Sequence, residues 1–417
     1  MAKIARPRVP LLDDVLEEHL GDLEHLLARR RAALRSPEYT LAELSVVEGR
    51  IADHVDGLQI GGARTAELAV ERLAGDDVDT VHAAAFALSH LDVPEAAPNL
   101  LAALLAEDID ASKASAIGDA LCLGGGIARL ADSLEIALSA ADLPIAAAAA
   151  VVLAHAGRLD AREPRLQSLI VDGAAITRAA AWRAVALTDL QRPADVPRPY
   201  QQALVDDDAG VREAALAASV WTRQAGLREH CRASASPTPA SLPALRMLAI
   251  LGEPQDLEIF IDAAQSEALG PERFALLGSF GHPGAIDAIL AGLVHKDARA
   301  AAAAALAFKA LTGLDVNSGR RVKVGPPAEQ DSGAEDEELF DEVEVPDAEK
   351  ATRHWSEIKE RYQGSLRWAR GRDVAGPRAH EIAEALDLRT RWEAHLRARF
   401  ERRWEGGPVE LERLTIG

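Results

Sequence analysis

The chain has 417 residues, 48% hydrophobic and only 4% aromatic, and its 66 acidic against 46 basic residues give a formal net charge of −20. That balance excludes a protein whose main work is gripping a nucleic-acid backbone or an anionic membrane surface, because both draw their affinity from clustered Lys and Arg. Two cysteines, Cys122 and Cys231, with no partner at metal-ligand spacing, exclude a disulfide framework and fit buried small apolar residues in a reducing cytoplasm.

The first elements are helical. Over residues 9–34 the apolar positions Leu11, Leu12, Val15, Leu16, Leu20, Leu23, Leu26 and Leu27 recur at threes and fours, the spacing of one or two amphipathic helices. The basic run Arg29, Arg30, Arg31 and Arg35 suits the negative end of the helix dipole. Ser36-Pro37 breaks the pattern, and a second helix is expected from Thr40, with Glu43 completing a capping box, to Leu58. The positive N-terminus is followed by no apolar run of signal-peptide length, and no apolar stretch approaches a membrane span, so a cytoplasmic protein without membrane insertion is expected.

From residue 61 to 315 one sentence recurs. Its clearest copy, 198–226, has an apolar stripe at Tyr200, Ala203 and Leu204 and then the acidic turn Asp206, Asp207, Asp208. A second stripe follows through Val211, Ala214, Ala215, Ala218 and Ser219. An Asp before the second stripe caps a helix and suits its positive dipole end. Further copies fall at 63–91, 94–123, 127–156, 163–189, 227–251, 257–280 and 285–312, at a spacing of roughly thirty to thirty-six residues, within the range of stacked helical hairpins. The expected fold is therefore all-α, an α-solenoid of about eight hairpins. It would lie between an N-terminal helical cap (1–60), a loop and acidic low-complexity segment (316–349) and a Trp/Arg-rich helical C-terminal segment (350–417). Gly124-Gly125-Gly126 lacks the Lys and Ser or Thr of a phosphate loop and reads as a helix-ending turn. The Pro-rich stretches 192–199 and 234–243 read as inter-helix loops.

The runs "DDDAGVREAALAAS" and "KDARAAAAALAFKALTG" resemble the HEAT-like repeats named after phycobilisome lyases. The resemblance implies a curved helical surface but no particular reaction, since such repeats occur in bilin lyases, hydroxylases, DNA glycosylases and scaffolds alike. The opening "LLARRRAALRSPEYTLAELSVVEGRIADHVDGLQIGG" resembles that of an uncharacterised bacterial family of HEAT-like repeat proteins. Genes of that family often neighbour type VI secretion genes, which implies an accessory or assembly role. Within this stretch His54 and Asp56 suggest either a site or a helix end packed on the first repeat.

After Gly313 the repeat stops. Asp315, Asn317 and Gly319 resemble a calcium loop, but the glycine is one place early and Pro326 stands where a bidentate Glu belongs, so calcium is rejected. Residues 329–349 hold 11 acidic residues and no basic one, the pattern of an interaction tail, a linker, or a plug for the protein's own groove. The remaining residues carry 15 basic against 11 acidic residues, with Trp355, Trp368, Trp392 and Trp404 interleaved. Trp392, Leu396 and Phe400 recur every fourth residue like a packed stripe, which points to a cap on the last repeat in preference to a nucleic-acid platform.

No HExxH, GxSxG or CxxC motif is present, and His19 and His25, six apart, point to different sides of one helix. The expected function is a non-enzymatic scaffold or adaptor without cofactor or metal, gripping a protein partner on the concave face. Its partner-binding residues would be Arg178, Trp182, Arg183, Arg212, Trp221, Trp355 and Trp368, the residue types that dominate binding hot spots. Trp182 and Trp221 have a second reading, as fillers of the seam between repeats. The alternative function is a HEAT-like repeat enzyme of lyase or base-excision type with its active site in the groove.

Overall fold

The structure, a computed structural model, describes residues 10–107, 109–124, 127–171, 173–188, 197–235, 240–325 and 341–407. The chain is an all-α solenoid of helical hairpins, divided into two compact units, residues 1–224 with 405–417 and residues 225–404.

The first unit opens with α1 (Pro10–Ala33) and α2 (Leu41–Gly61), an antiparallel pair. The expected first stripe forms one helix, burying Leu16, Leu20, Leu23, Leu26 and Leu27 while Leu12 and Val15 stay exposed. Thr40 and Glu43 cap α2 reciprocally, the Glu43 carboxylate accepting from the Thr40 N–H at 2.8 Å. Arg30, at the end of α1, is buried and donates to Glu48 at 2.8 Å.

Five hairpins follow: α3 (Ala63–Leu73) with α4 (Val78–His90), α5 (Ala96–Leu104) with α6 (Ala111–Leu123), α7 (Ile127–Leu138) with α8 (Leu143–His155), α9 (Pro164–Leu169) with α10 (Ala175–Thr188), and α11 (Tyr200–Ala203) with α12 (Ala209–Trp221). The second helices are all 13 or 14 residues long and stack in order, whereas the first helices range from 12 residues down to 4. An Asp side chain caps α4, α6, α8 and α12 in turn: Asp77, Asp110, Asp142 and Asp208. Each such cap contributes about 1 kcal/mol and fixes where the inner helix begins. Small residues let the inner row close up, so that a Cβ added at Gly118 of α6 would already touch the Ala148 Cβ at 3.4 Å. Gly124 ends α6 by donating to the Ala120 carbonyl; residues 125 and 126, and 192–196 and 236–239 of the Pro-rich stretches, lie outside the described residues.

The second unit holds three more hairpins: α13 (Leu227–Ala235) with α14 (Leu242–Leu251), α15 (Leu257–Gln265) with α16 (Glu272–Phe280), and α17 (Ile286–Gly292) with α18 (Ala298–Thr312). Here α14, α16 and α18 stack, and Gly278 brings α16 so near α18 that an added Cβ would stand 3.1 Å from the Ala307 Cα.

Beyond α18 the structure corrects the expected loop. Residues Asn317–Val324 form β1 and Asp341–Pro346 form β2, an antiparallel pair packed on α18. Valines opposite one another, Val322 and Val343, and the cross-strand pair Arg321–Glu344 at 3.2 Å favour the ladder. Cations of β1 thus offset the repulsion among the carboxylates of β2, which a reading of the acidic stretch by itself could not include. Residues 326–340, the centre of that stretch, lie outside the described residues.

The C-terminal segment is likewise not helical throughout. It runs α19 (Ala348–Ile358), a two-residue hairpin of β3 (Trp368–Ala369) and β4 (Arg372–Asp373), α20 (Ala379–Ala383) and α21 (Leu388–Phe400). Arg370 and Gly371 at the hairpin tip have φ of 49° and 72°, as a tight primed turn requires. The hairpin sits on helix C-termini: Trp368 N–H donates to the Gly281 carbonyl at 2.8 Å, and Gly371 N–H to that of Leu311 at 3.0 Å. Arg367 donates to the carbonyls of Ala249, Ile250 and Gly252 at the end of α14 and to that of Ser279, placing a cation at the negative end of the dipole. On α21, Leu396 is buried, with Trp392 and Phe400 half-buried beside it.

Replacing Gly278 with Leu is expected to lower the urea midpoint of unfolding, at a cost of about 1–3 kcal/mol from forced separation of α16 and α18. Gly376→Leu, where nothing lies within 4 Å of an added Cβ, serves as control and should shift the midpoint far less.

Candidate functional site

The seven residues expected to bind a partner fall into two groups. Five of them lie in the first unit, where the two tryptophans are buried and the three arginines are half-buried. Trp182 and Trp221 are 0% and 1% exposed, which corrects the reading that projected them from the concave face. Trp182 lies against Tyr200 at 4.8 Å between centroids, and the Tyr200 hydroxyl shares a 2.9 Å hydrogen bond with Thr222, so the seam between the fourth and fifth hairpins is filled. Arg178 forks onto Asp206 at 2.8 and 3.1 Å and onto the Gly173 carbonyl. Arg212 donates to the carbonyls of Asp206 and Asp207. Arg183 of α10 reaches across α8 to Asp119 of α6, at 2.6 Å. It can do so because α8 offers alanines and other residues that are buried without a break from Ile145 to Ala154.

The remaining two residues meet in the second unit. Trp355 on α19 lies 5.1 Å from the Tyr362 ring, and Tyr362 lies 4.3 Å from Trp368 on β3, so three aromatic rings form one row. The outer rings are half-buried and the middle one is 6% exposed. Burial raises the Tyr362 phenol above its ordinary pKa, with the Arg361 charge opposing, so the ring stays neutral at physiological pH. Trp368 is held by its own indole, which donates to the Ser365 carbonyl at 3.1 Å, and by its backbone bond to Gly281. Leu366, 47% exposed, stands two residues before it. A row of this kind offers apolar area at little entropic cost, because its rings are fixed before anything binds.

Residue-type reasoning missed Tyr362, whose role depends on neighbours seven and six positions away, and it missed the pairing of His54 with His19 and the burial of His82. The ring nitrogens of His19 and His54 are 2.9 Å apart, joining α1 to α2, and Asp22 lies 3.7 Å from the other nitrogen of His54. Burial lowers the His54 pKa while Asp22 raises it. The link packs His54 against α1, where the expectation was a helix end packed on the first repeat. His82 on α4 is 3% exposed and its Nδ1 has no hydrogen-bond partner. Burial, then the Arg31 charge, push its pKa down to about 4 against the opposing pull of Asp119 and Asp79. Among the described residues no group of three or more His, Cys, Asp or Glu side chains is placed to hold a metal ion, and no helix is long and apolar enough to cross a membrane.

Stacked helical hairpins closed by aromatic and arginine contacts define a helical-repeat protein. Similar solved structures include YibA of Escherichia coli, 13% identical, with 73% of this chain and 97% of that one covered and a TM-score of 0.31. Another is human deoxyhypusine hydroxylase in complex with glycerol, 14% identical, with coverage of 69% and 96% and a TM-score of 0.23. At this level of likeness neither brings a function with it. No protein-family model and no curated protein matches the chain.

His82 makes stability pH-dependent. Its folded-state pKa lies below the ordinary 6.5, so between pH 6.5 and 4 the unfolded chain binds a proton that the folded chain does not. Stability is full above pH 6.5 and falls as the pH drops toward 4, by up to about 3 kcal/mol. In His82→Gln the loss of urea midpoint between pH 7.5 and 4.5 should be smaller than in the parent, and equal losses would remove His82 as the cause.

Proposed function

We propose that the protein is a non-enzymatic scaffold that binds a protein partner through the Trp355–Tyr362–Trp368 row. The observation that supports this reading is the meeting of the two half-exposed tryptophans on one buried tyrosine, fixed by backbone bonds to helix ends. Rigid Trp and Tyr rings beside an exposed leucine are the make-up of a binding hot spot. The row takes over the role first assigned to the inner-face arginines, which are committed to Asp206, Asp119 and main-chain carbonyls. In this reading the partner is a component of a type VI secretion assembly, a step that rests only on the resemblance of residues 26–62.

The test is affinity capture of the tagged protein from its own cells with cross-linking, run beside Trp355→Ala and Trp368→Ala. Each substitution should weaken capture of the same partner by about tenfold or more while the variant stays folded, with the parent's helical circular dichroism at the capture temperature. Capture of one partner at equal strength by all three proteins would refute the row as the binding site. A tightly held small molecule or metal in place of a protein would refute the scaffold.

A further inference from the structure

The exposed aliphatic residues of the first unit are unevenly placed. Among the described residues of its five hairpins, the large apolar side chains that reach solvent are Val78, Leu105, Ile136, Val171, Ile176 and Val205, at 37–75% exposure. All six lie within a helical turn of the connection between the first and second helix of a hairpin. Among the described residues of the opposite edge, where one hairpin passes to the next, Leu91 is buried and Val93 and Leu159 are half-buried, while Ile60, where α2 passes to α3, is exposed. One edge of the repeat stack therefore carries an aliphatic strip, and Leu105, Val171 and Val205 take the same place just after the first helix of three hairpins.

The same edge carries the acidic turns. Asp76, Asp77, Glu107, Asp110, Asp207 and Asp208 are exposed there. Of the cations at this edge, Lys113 and Arg178 pair with Asp76 and Asp206 of neighbouring hairpins, and Arg212 donates to the Asp206 and Asp207 carbonyls. The edge thus exposes aliphatic side chains among an excess of carboxylates.

We infer that this edge binds a cationic amphipathic helix of a partner protein. Charge selects Lys and Arg flanking an apolar stripe. Spacing selects the helix: stacked helices stand about 8–10 Å apart, and seven residues of α-helix rise about 10.5 Å, so an apolar position repeated each heptad stays in step with the hairpins. An extended strand covers that distance in about three residues, an odd number, which turns alternate side chains away from the strip. Five hairpins match about three to four heptads. The surface is separate from the aromatic row, and neither claim depends on the other.

Two fluorescein-labelled peptides of about 21 residues and identical composition discriminate the possibilities: three repeats of LKKLLKL, which is amphipathic as a helix, and LKLKLKLKLLLKLKLKLKLKL, which is amphipathic as a strand. Anisotropy titrations against the full chain at 0.15 M salt should show the first peptide binding about tenfold tighter or better, since a purely electrostatic attraction would hold both alike. Val171→Ser combined with Val205→Ser should cost the first peptide about tenfold in affinity. Both side chains are exposed, so the melt should not move, and Trp355→Ala should leave this affinity unchanged. Equal binding of the two peptides, preference for the strand pattern, or full affinity in the double variant overturns the inference.

Discussion

Inner helices that carry alanine or glycine where they face one another can close until a methyl group meets backbone, and the rest of this molecule follows from that approach. Gly118 against Ala148 and Gly278 against Ala307 leave no room for a longer side chain. Nine consecutive residues of α4, Val81 to Ser89, and ten of α8, Ile145 to Ala154, are buried as a result. Helices packed this tightly gain dispersion contacts along their whole length. They also give up the functional side chains that an open groove would display. The inner face is a structural surface first, and Arg183 there pairs with Asp119 at 2.6 Å.

Tight stacking leaves helix ends crowded together, and the charges are arranged to satisfy them. Aspartates cap the N-termini of the inner helices, where the dipole is positive. Arginines attend to the carbonyl ends. Arg129 donates to Ser89 and Leu91 after α4, Arg228 to Leu251 after α14, and Arg367 to four carbonyls around α14 and α16. A planar guanidinium with five donors can serve several carbonyls at once, which an ammonium group cannot do with the same fixed geometry. Much of the chain's arginine is therefore mortar between helix ends, and in the C-terminal segment Arg367 has this role while Arg370 pairs with the Asp387 carboxylate.

What could be read from sequence was whatever is local. The apolar period of each hairpin, the Asp before each second stripe and the Thr40/Glu43 box act within four residues, and these gave eight hairpins at their observed places. What could not be read depends on distant neighbours. Trp182 and Trp221 sit on helices apolar on nearly every side, so the period does not say which side faces solvent, and burial was decided by Tyr200 and the adjacent hairpin. The meeting of His19 with His54 spans 35 residues. The β1–β2 pair was hidden because an acidic run reads as self-repelling until its basic partner strand is set beside it.

The two proposed surfaces differ in kind for a physical reason. A surface borne by repeats is assembled from small equal contributions, one hairpin at a time, so loss of any one residue removes a fraction of the contact and length sets the total. The aromatic row is a single feature in which each ring depends on the next: Trp368 is placed by Gly281 and Ser365, and Tyr362 lies between the two tryptophans. Truncating one of its rings removes area and also the support of its neighbour, so losses there exceed the sum expected from independent contacts. An alanine-rich stack whose inner helices bury their large side chains has these two places left to expose them, its turns and the segment folded over its last helix ends.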